Sequence, residues 1–110
     1  MGPLGTFLLV VSHLLLLGAA LPMAQRRVKP NGIYGFRTPA TLSNESVWYE
    51  ANAVAGRLLA GATVLSAVVS LVLYFVLPPD QFAVAGLVFL MVAMLTAVLF
   101  SFSALRRIAP

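Results

Sequence analysis

The amino-acid sequence predicts an all-α membrane protein with three transmembrane helices. Apolar residues make up 61% of the 110 residues and charged residues only 9%, whereas soluble domains carry roughly a quarter charged residues. The apolar residues form three uninterrupted segments, at 4–24, 58–77 and 82–105, each long enough as a helix to cross a hydrocarbon core of about 30 Å. A closed barrel would need many alternating strands, so we expect one helical membrane domain over residues 1–110.

The first apolar segment is predicted to be a retained helix. No basic side chain precedes it, and Arg26 and Arg27 follow it, which is the reverse of the charge order in a secretory signal peptide. His13 lies near its middle, and an ionisable residue at that depth is a functional candidate, for proton transfer or for contact with a partner. We favour a neutral His13 bonded to Ser12, Ser66, Ser70 or a carbonyl, because the three apolar segments contain no Asp, Glu or second His.

The connection at residues 25–57 holds most of the polar side chains. Residues 29–32 (Lys-Pro-Asn-Gly) predict a turn, and a helix can begin with Ser43 as its N-cap and Glu45 in its first turn. Apolar residues then recur at helical spacing, at Val47, Ala51, Val54 and Leu58. We expect a short amphipathic helix that either lies flat in the interface or continues into the second membrane helix.

The second and third segments are predicted to form an antiparallel hairpin. Pro78 and Pro79 remove N–H donors and end the second helix, and Asp80 is placed to cap the third. Small residues recur every four positions on both helices, which favours close helix packing or docking on a partner. These two stripes are Ala62, Ser66 and Ser70 on the second helix, and Ala93, Ala97 and Ser101 on the third.

The placement of charge predicts the orientation. Of the seven basic residues, none precedes the first segment, five lie in residues 25–57 and two follow the third segment; the turn at residues 78–81 has none. Basic residues flank membrane helices on the cytoplasmic side. We therefore expect the N-terminus outside and the connection and C-terminus in the cytoplasm, and we attribute the net charge of +4 to topology rather than to nucleic-acid binding.

The connection carries the motif Gly-x-Arg-Thr-Pro-x-Thr, followed by a tryptophan, an asparagine and a glycine beside a membrane helix. The positions are Gly35, Arg37, Thr38, Pro39, Thr41, Trp48, Asn52 and Gly56. This pattern resembles the signature of the SdpI family of bacterial membrane proteins. The resemblance implies a multi-pass protein of the plasma (inner) membrane, with a function in immunity to a secreted killing peptide and in signalling through a repressor held at the membrane. The architecture for which the family is named has a further membrane half ahead of the signature, where this chain has one helix.

Several signature residues are candidate binding residues. Arg37 offers a rigid fork of donors, and the hydroxyls of Thr38, Thr41 and Ser43 could complete a site for a lipid phosphate or an acidic side chain. The alternative is structural: Arg37 pairs with Glu45 or Glu50 and caps backbone carbonyls, which fixes a re-entrant or interfacial loop.

Trp48, Asn52 and Gly56 each have more than one interpretation. Trp48 is expected to anchor the chain at the membrane interface, with stacking on Arg37 as the alternative. Asn52 could bond across helices or back to the loop, and Gly56 could permit close approach of loop and helix.

The sequence favours binding over catalysis. With no cysteine and no phosphate loop or catalytic triad, we expect no enzyme, no cofactor and no metal site. The first hypothesis is an SdpI-like protein acting through protein or lipid contacts of its loop; the alternative is an accessory subunit docked through the small-residue stripes. Expected partners are membrane lipids and a membrane or cytoplasmic protein, with a homo-oligomer left open. Transport by an oligomer using His13 ranks last.

Overall fold

The computed structural model describes residues 2–109, which contain four helices and no strand. They are α1 (Gly2–Ala24), α2 (Pro39–Leu42), α3 (Glu45–Val76) and α4 (Pro79–Ile108). The helices α1, α3 and α4 are each long and apolar enough to cross a membrane. The prediction of an all-helical chain with three helices able to span a membrane is confirmed.

The predicted amphipathic helix and the second membrane helix are one continuous helix, α3, of 32 residues. Of the two expected arrangements the structure therefore has the continuation, with the apolar segment predicted at 58–77 forming the later part of α3. The prediction of Ser43 as N-cap is also wrong, by one residue. The Asn44 side chain accepts hydrogen bonds from the N–H groups of Ser46 and Val47, because its short amide reaches the free donors of the first turn. Ser43 instead ends α2.

The predicted hairpin of α3 and α4 is present. Helix α4 begins before the apolar segment from which it was predicted. Pro79 takes the first helical position, where its fixed φ is suitable and its missing N–H costs nothing. Asp80 lies in the first turn and Pro78 precedes the helix without a side-chain cap, so the prediction that Asp80 caps α4 is wrong. Arg106 and Arg107 lie in the last turn, where positive charge complements the helix dipole.

Helix α3 is the centre of the bundle. It packs extensively on α1 and on α4, which contact each other sparsely. Four of the six stripe residues are buried in these contacts, namely Ser66, Ser70, Ala97 and Ser101. Ser70 Oγ lies against Gly86 of α4, where a Cβ would come within 2.8 Å of it. The stripes therefore contribute to packing within the bundle, which is the close helix packing expected of them.

The apolar parts of α1 and α3 end at the same level of the bundle. The part of α3 from Gly56 to Val76 rises about 30 Å, which equals the thickness of a hydrocarbon core. Gly56 faces Ala20 and Ala24 near the end of α1, so the apolar parts of both helices end at the same level. The first turns of α3, from Glu45 to Ala55, extend beyond that level and provide the surface on which the connection folds.

Candidate functional site

The connection begins with a well-formed helix end at Arg26. The N–H of Arg26 donates to the Met23 carbonyl and that of Arg27 to the Pro22 carbonyl, which is the Schellman pattern of helix termination. Arg26 has φ 60°, the left-handed conformation that this motif requires and that glycine adopts most easily. The motif turns the chain back toward α3.

Asn31 organises the turn that follows. Its Oδ1 accepts hydrogen bonds from the N–H groups of Ile33 (2.9 Å) and Tyr34 (2.7 Å), and its Nδ2 donates to the Lys29 carbonyl at 2.7 Å. The Asn31 carbonyl in turn accepts from Arg37 Nε at 3.0 Å. One asparagine therefore fixes both the turn predicted at residues 29–32 and the side chain of Arg37.

Asn52 holds the middle of the loop against α3. Its Oδ1 accepts from the Phe36 N–H at 2.7 Å, and its Nδ2 donates to the carbonyls of Phe36 at 3.2 Å and Trp48 at 2.9 Å. The side chain is 2% exposed, so these bonds form away from water, where an unpaired amide is costly. Of the two expectations for Asn52, bonding back to the loop is confirmed.

Gly35 makes this approach possible. Its φ is 117°, and a Cβ there would lie 2.8 Å from Asn52 Oδ1 and 3.1 Å from the Trp48 ring. A side chain at residue 35 would therefore be strained by the backbone and would collide with the buried amide. On the other side of the loop, the Phe36 ring makes an edge-to-face contact with Phe102 of α4, with ring centroids 5.0 Å apart.

Trp48 is completely buried, with 0% of its surface exposed. Its Nε1 donates to the Val28 carbonyl at 2.8 Å, and its ring lies beside Gly35. The expectation that Trp48 anchors the chain at the interface is therefore wrong. The loop covers the ring, an arrangement that depends on contacts distant in sequence.

The Thr-Pro-x-Thr part of the signature forms the short helix α2. Thr38 Oγ1 accepts from the Thr41 N–H, and Thr41 Oγ1 accepts from the Thr38 N–H at 2.8 Å, while Pro39 takes the first helical position. Thr41 is buried, and its hydroxyl donates a hydrogen bond to the Phe36 carbonyl at 3.0 Å. These hydroxyls are occupied by backbone groups, so the structure does not bring them together with Arg37 as an anion site. Ser43 is exposed and contacts Ala40.

Gly56 joins α3 to α1. A Cβ at this position would meet the Ala24 backbone nitrogen, the Ala20 carbonyl at 2.7 Å and Met23 Cβ at 2.8 Å. The close approach expected at Gly56 is present, but the partner is the end of α1 rather than the loop. Nearby, the Tyr34 hydroxyl donates to the Ala19 carbonyl, and burial raises the pKa of Tyr34 above its usual value.

Arg37 is the charged residue of the signature, and its side chain is exposed. Its Nε donates to the Asn31 carbonyl, so the expected capping of a backbone carbonyl is present, whereas no ion pair with Glu45 or Glu50 is seen among residues 2–109. All seven basic residues lie beyond the apolar spans or near their ends on this side of the bundle, and each is exposed. They are Arg26, Arg27, Lys29, Arg37, Arg57, Arg106 and Arg107.

His13 is tied within the bundle. Its Nδ1 lies 2.7 Å from the Leu9 carbonyl and its Nε2 lies 2.9 Å from Ser66 Oγ. Because a carbonyl only accepts, Nδ1 donates to Leu9, and in the neutral imidazole Nε2 accepts from the Ser66 hydroxyl. The expected bonds to a carbonyl and to Ser66 are thus both present. His13 lies far from the signature loop, in the middle of α1.

The signature residues therefore form a folded collar, by which we mean residues 28–42 packed on the first turns of α3. Sequence reasoning missed Val28, Tyr34 and Phe36, which contribute a carbonyl, a hydroxyl and a backbone amide pair. No pattern identifies such backbone partners. Within residues 2–109 no group of three or more His, Cys, Asp or Glu residues could hold a metal ion.

Comparison with known proteins agrees with the resemblance seen in the signature. The family model described as the SdpI/YfhL protein family matches residues 27–103, which include the collar and nearly all of α3 and α4. No match was found among curated proteins or among solved structures. The matched residues cover more than half of the chain, and this chain belongs to the SdpI/YfhL protein family.

Proposed function

We propose that this protein acts by binding, and that Arg37 on the collar engages an anionic group of a partner. The observation that carries the proposal is the contrast within the signature. Trp48, Asn52 and Thr41 are buried and form hydrogen bonds to the loop backbone, whereas Arg37 is exposed. A rigid scaffold that presents an exposed charged side chain suits recognition.

The geometry of Arg37 supports this role. Its Nε donates to the Asn31 carbonyl, which restrains the guanidinium of a side chain that is exposed. A guanidinium donates two parallel hydrogen bonds to a carboxylate or a phosphate. Because the fork is already held in place, less side-chain freedom is lost when an anion binds.

The distribution of basic residues supports a cytoplasmic position for the collar. The seven basic residues lie at the collar end of the bundle, and Asp80 lies at the other end. This distribution favours a cytoplasmic collar in the plasma membrane of a bacterial cell. A cytoplasmic collar can contact a soluble regulator, as expected for signalling or for immunity to a toxin.

Native co-purification tests the proposal. The wild-type protein and Arg37→Ala are extracted in gentle detergent, and everything retained, proteins and lipids, is identified by mass spectrometry. Arg107→Ala, which removes an exposed basic residue at the end of α4, is the matched control. We expect a partner that is retained by the wild type and by Arg107→Ala and is lost from Arg37→Ala, with equal membrane insertion of all three.

Equal retention by Arg37→Ala would contradict the proposal. A large membrane complex retained regardless of Arg37 would instead favour the accessory-subunit alternative. The burial of Ser66, Ser70, Ala97 and Ser101 inside the bundle leaves that alternative only Ala62 and Ala93 of the stripes as partly exposed surface.

A further inference from the structure

We propose that the turn at residues 29–34 inserts Ile33 into the boundary between hydrocarbon and headgroups, where Lys29 and Arg37 bind the phosphates of anionic phospholipids. The inference rests on the proposed function, since it names a lipid phosphate as the anionic group that Arg37 engages. It assigns the turn a role that the signature residues do not account for.

Ile33 has an unusual exposure. It is 92% exposed, more than any other large apolar side chain in residues 2–109. The other strongly exposed apolar residues lie almost entirely on the long helices, where lipid surrounds them. Ile33 lies on a loop, so its contact with lipid depends on the depth of that loop and on the basic residues beside it.

The depth of the turn matches that contact. Phe36 is bonded to Asn52, which precedes Gly56 by one helical turn, or about 6 Å. The headgroup layer on each side of a bilayer is about 5 to 8 Å thick, so the loop backbone lies at headgroup level. Tyr34 follows Ile33, and its hydroxyl reaches Ala19 within the apolar span of α1. Ile33 is therefore placed next to the hydrocarbon boundary.

The three residues are held together by one asparagine. Asn31 accepts from the N–H of Ile33, donates to the Lys29 carbonyl and accepts from Arg37 Nε through its own carbonyl. The turn thus presents an apolar tip with a basic residue on each side. Interfacial binding elements combine buried apolar area with attraction to anionic lipids in this way. A protein partner is the competing occupant, but the chain's own bilayer is adjacent to the turn.

The position of Ile33 is tested by spin labelling. The chain has no cysteine, so Ile33→Cys and the control Ser43→Cys each carry a single nitroxide. Ser43 is exposed and precedes Glu45, about 16 Å beyond the level of Gly56. The labelled proteins are placed in vesicles of phosphatidylglycerol and phosphatidylcholine. We expect the label at 33 to collide with oxygen, which concentrates in the lipid, and to be protected from a water-soluble nickel chelate. We expect the label at 43 to collide with the nickel chelate more than with oxygen. Equal exposure of both labels to the nickel chelate would overturn the inference.

Lipid selection is tested on protein extracted from the same vesicles. We expect wild-type protein to retain phosphatidylglycerol in preference to phosphatidylcholine. Lys29→Ala and Arg37→Ala should each lower that preference by about fivefold, whereas Arg107→Ala should leave it nearly unchanged. An unchanged preference in both loop variants overturns the inference. If the lipid preference of Arg37→Ala is unchanged but the variant loses a protein partner, the proposed function survives. If Arg37→Ala keeps both its lipid preference and its protein partner, both proposals fail.

Discussion

The side-chain amide of Asn52 pairs with both polar groups of the Phe36 backbone. Its oxygen accepts from the Phe36 N–H at 2.7 Å and its nitrogen donates to the Phe36 carbonyl at 3.2 Å. The Asn52 side chain is buried, and the pairing joins residues 16 positions apart. It holds the loop on α3 directly next to Arg37, so the geometry of the exposed arginine depends on a buried asparagine.

Replacing Asn52 should loosen the collar. We expect Asn52→Ala to lower the free energy of unfolding by about 2 kcal/mol, because the Phe36 N–H and two carbonyls lose their partner. Thermal unfolding in detergent measures the effect. Glu50→Ala, an exposed position on the same helix, is the control and should change stability by less than about 0.5 kcal/mol. Equal stability of the two variants would contradict the pairing.

Two glycines of α3 should respond in opposite ways to alanine. A Cβ at Gly56 collides with the α1 backbone, while a Cβ at Gly61 meets nothing within 4 Å. We expect Gly56→Ala to destabilise the protein by about 1 to 3 kcal/mol through overpacking. Gly61→Ala should stabilise it by up to about 1 kcal/mol through helix propensity. Thermal unfolding of both variants checks the prediction, and an unaffected Gly56→Ala would contradict the observed α1–α3 contact.

Arg26 occupies a left-handed position that suits glycine. Arg26→Gly should raise the free energy of unfolding by about 0.5 to 1 kcal/mol, since it relieves the strain of φ 60°. Arg27→Gly removes the same charge one residue later and should be neutral or destabilising. A gain in midpoint temperature for residue 27 and none for residue 26 would be inconsistent with the Schellman geometry.

His13 and Ser66 should be energetically coupled. We expect a double-mutant cycle of His13→Ala and Ser66→Ala to give a coupling of about 1 kcal/mol, within the range found for hydrogen bonds between membrane helices. Ser12 bonds the carbonyl of Leu8 in its own helix, so a cycle of Ser12→Ala with Ser66→Ala should give a coupling near zero. Unfolding free energies in detergent provide both values, and equal couplings would argue against the His13–Ser66 bond.

Tyr34 predicts how stability changes at alkaline pH. Its pKa is raised in the folded protein by burial, so the unfolded chain loses the phenolic proton first as the pH rises. The contribution to stability is complete below about pH 10 and declines as the pH rises toward and through the folded pKa. Difference absorbance between wild type and Tyr34→Phe should give a phenolate transition above the usual pH. A transition at or below that pH would contradict the burial of this ring.

The sequence predicted the three long helices well, because apolar length alone determines them in lipid. It also identified Gly35, Asn52 and Gly56 as special positions through their place in a motif. It could not predict that Trp48 is covered, since the covering residues Val28 and Gly35 are brought there by the loop fold. Ser43 and Asn44 are neighbours and both residue types cap helices well, so the sequence could not decide that Asn44 is the N-cap of α3.

Amide hydrogen exchange at Phe36, in protein reconstituted in lipid nanodiscs, tests the central claim that the signature residues fold the loop into a rigid collar. The Phe36 N–H is bonded to the buried Asn52 side chain. We predict exchange at least about 100-fold slower than in an unstructured chain, which corresponds to an opening free energy of about 2.7 kcal/mol, with loss of that protection in Asn52→Ala. Exchange of Phe36 at the rate of an unstructured loop in the wild-type protein would contradict the account.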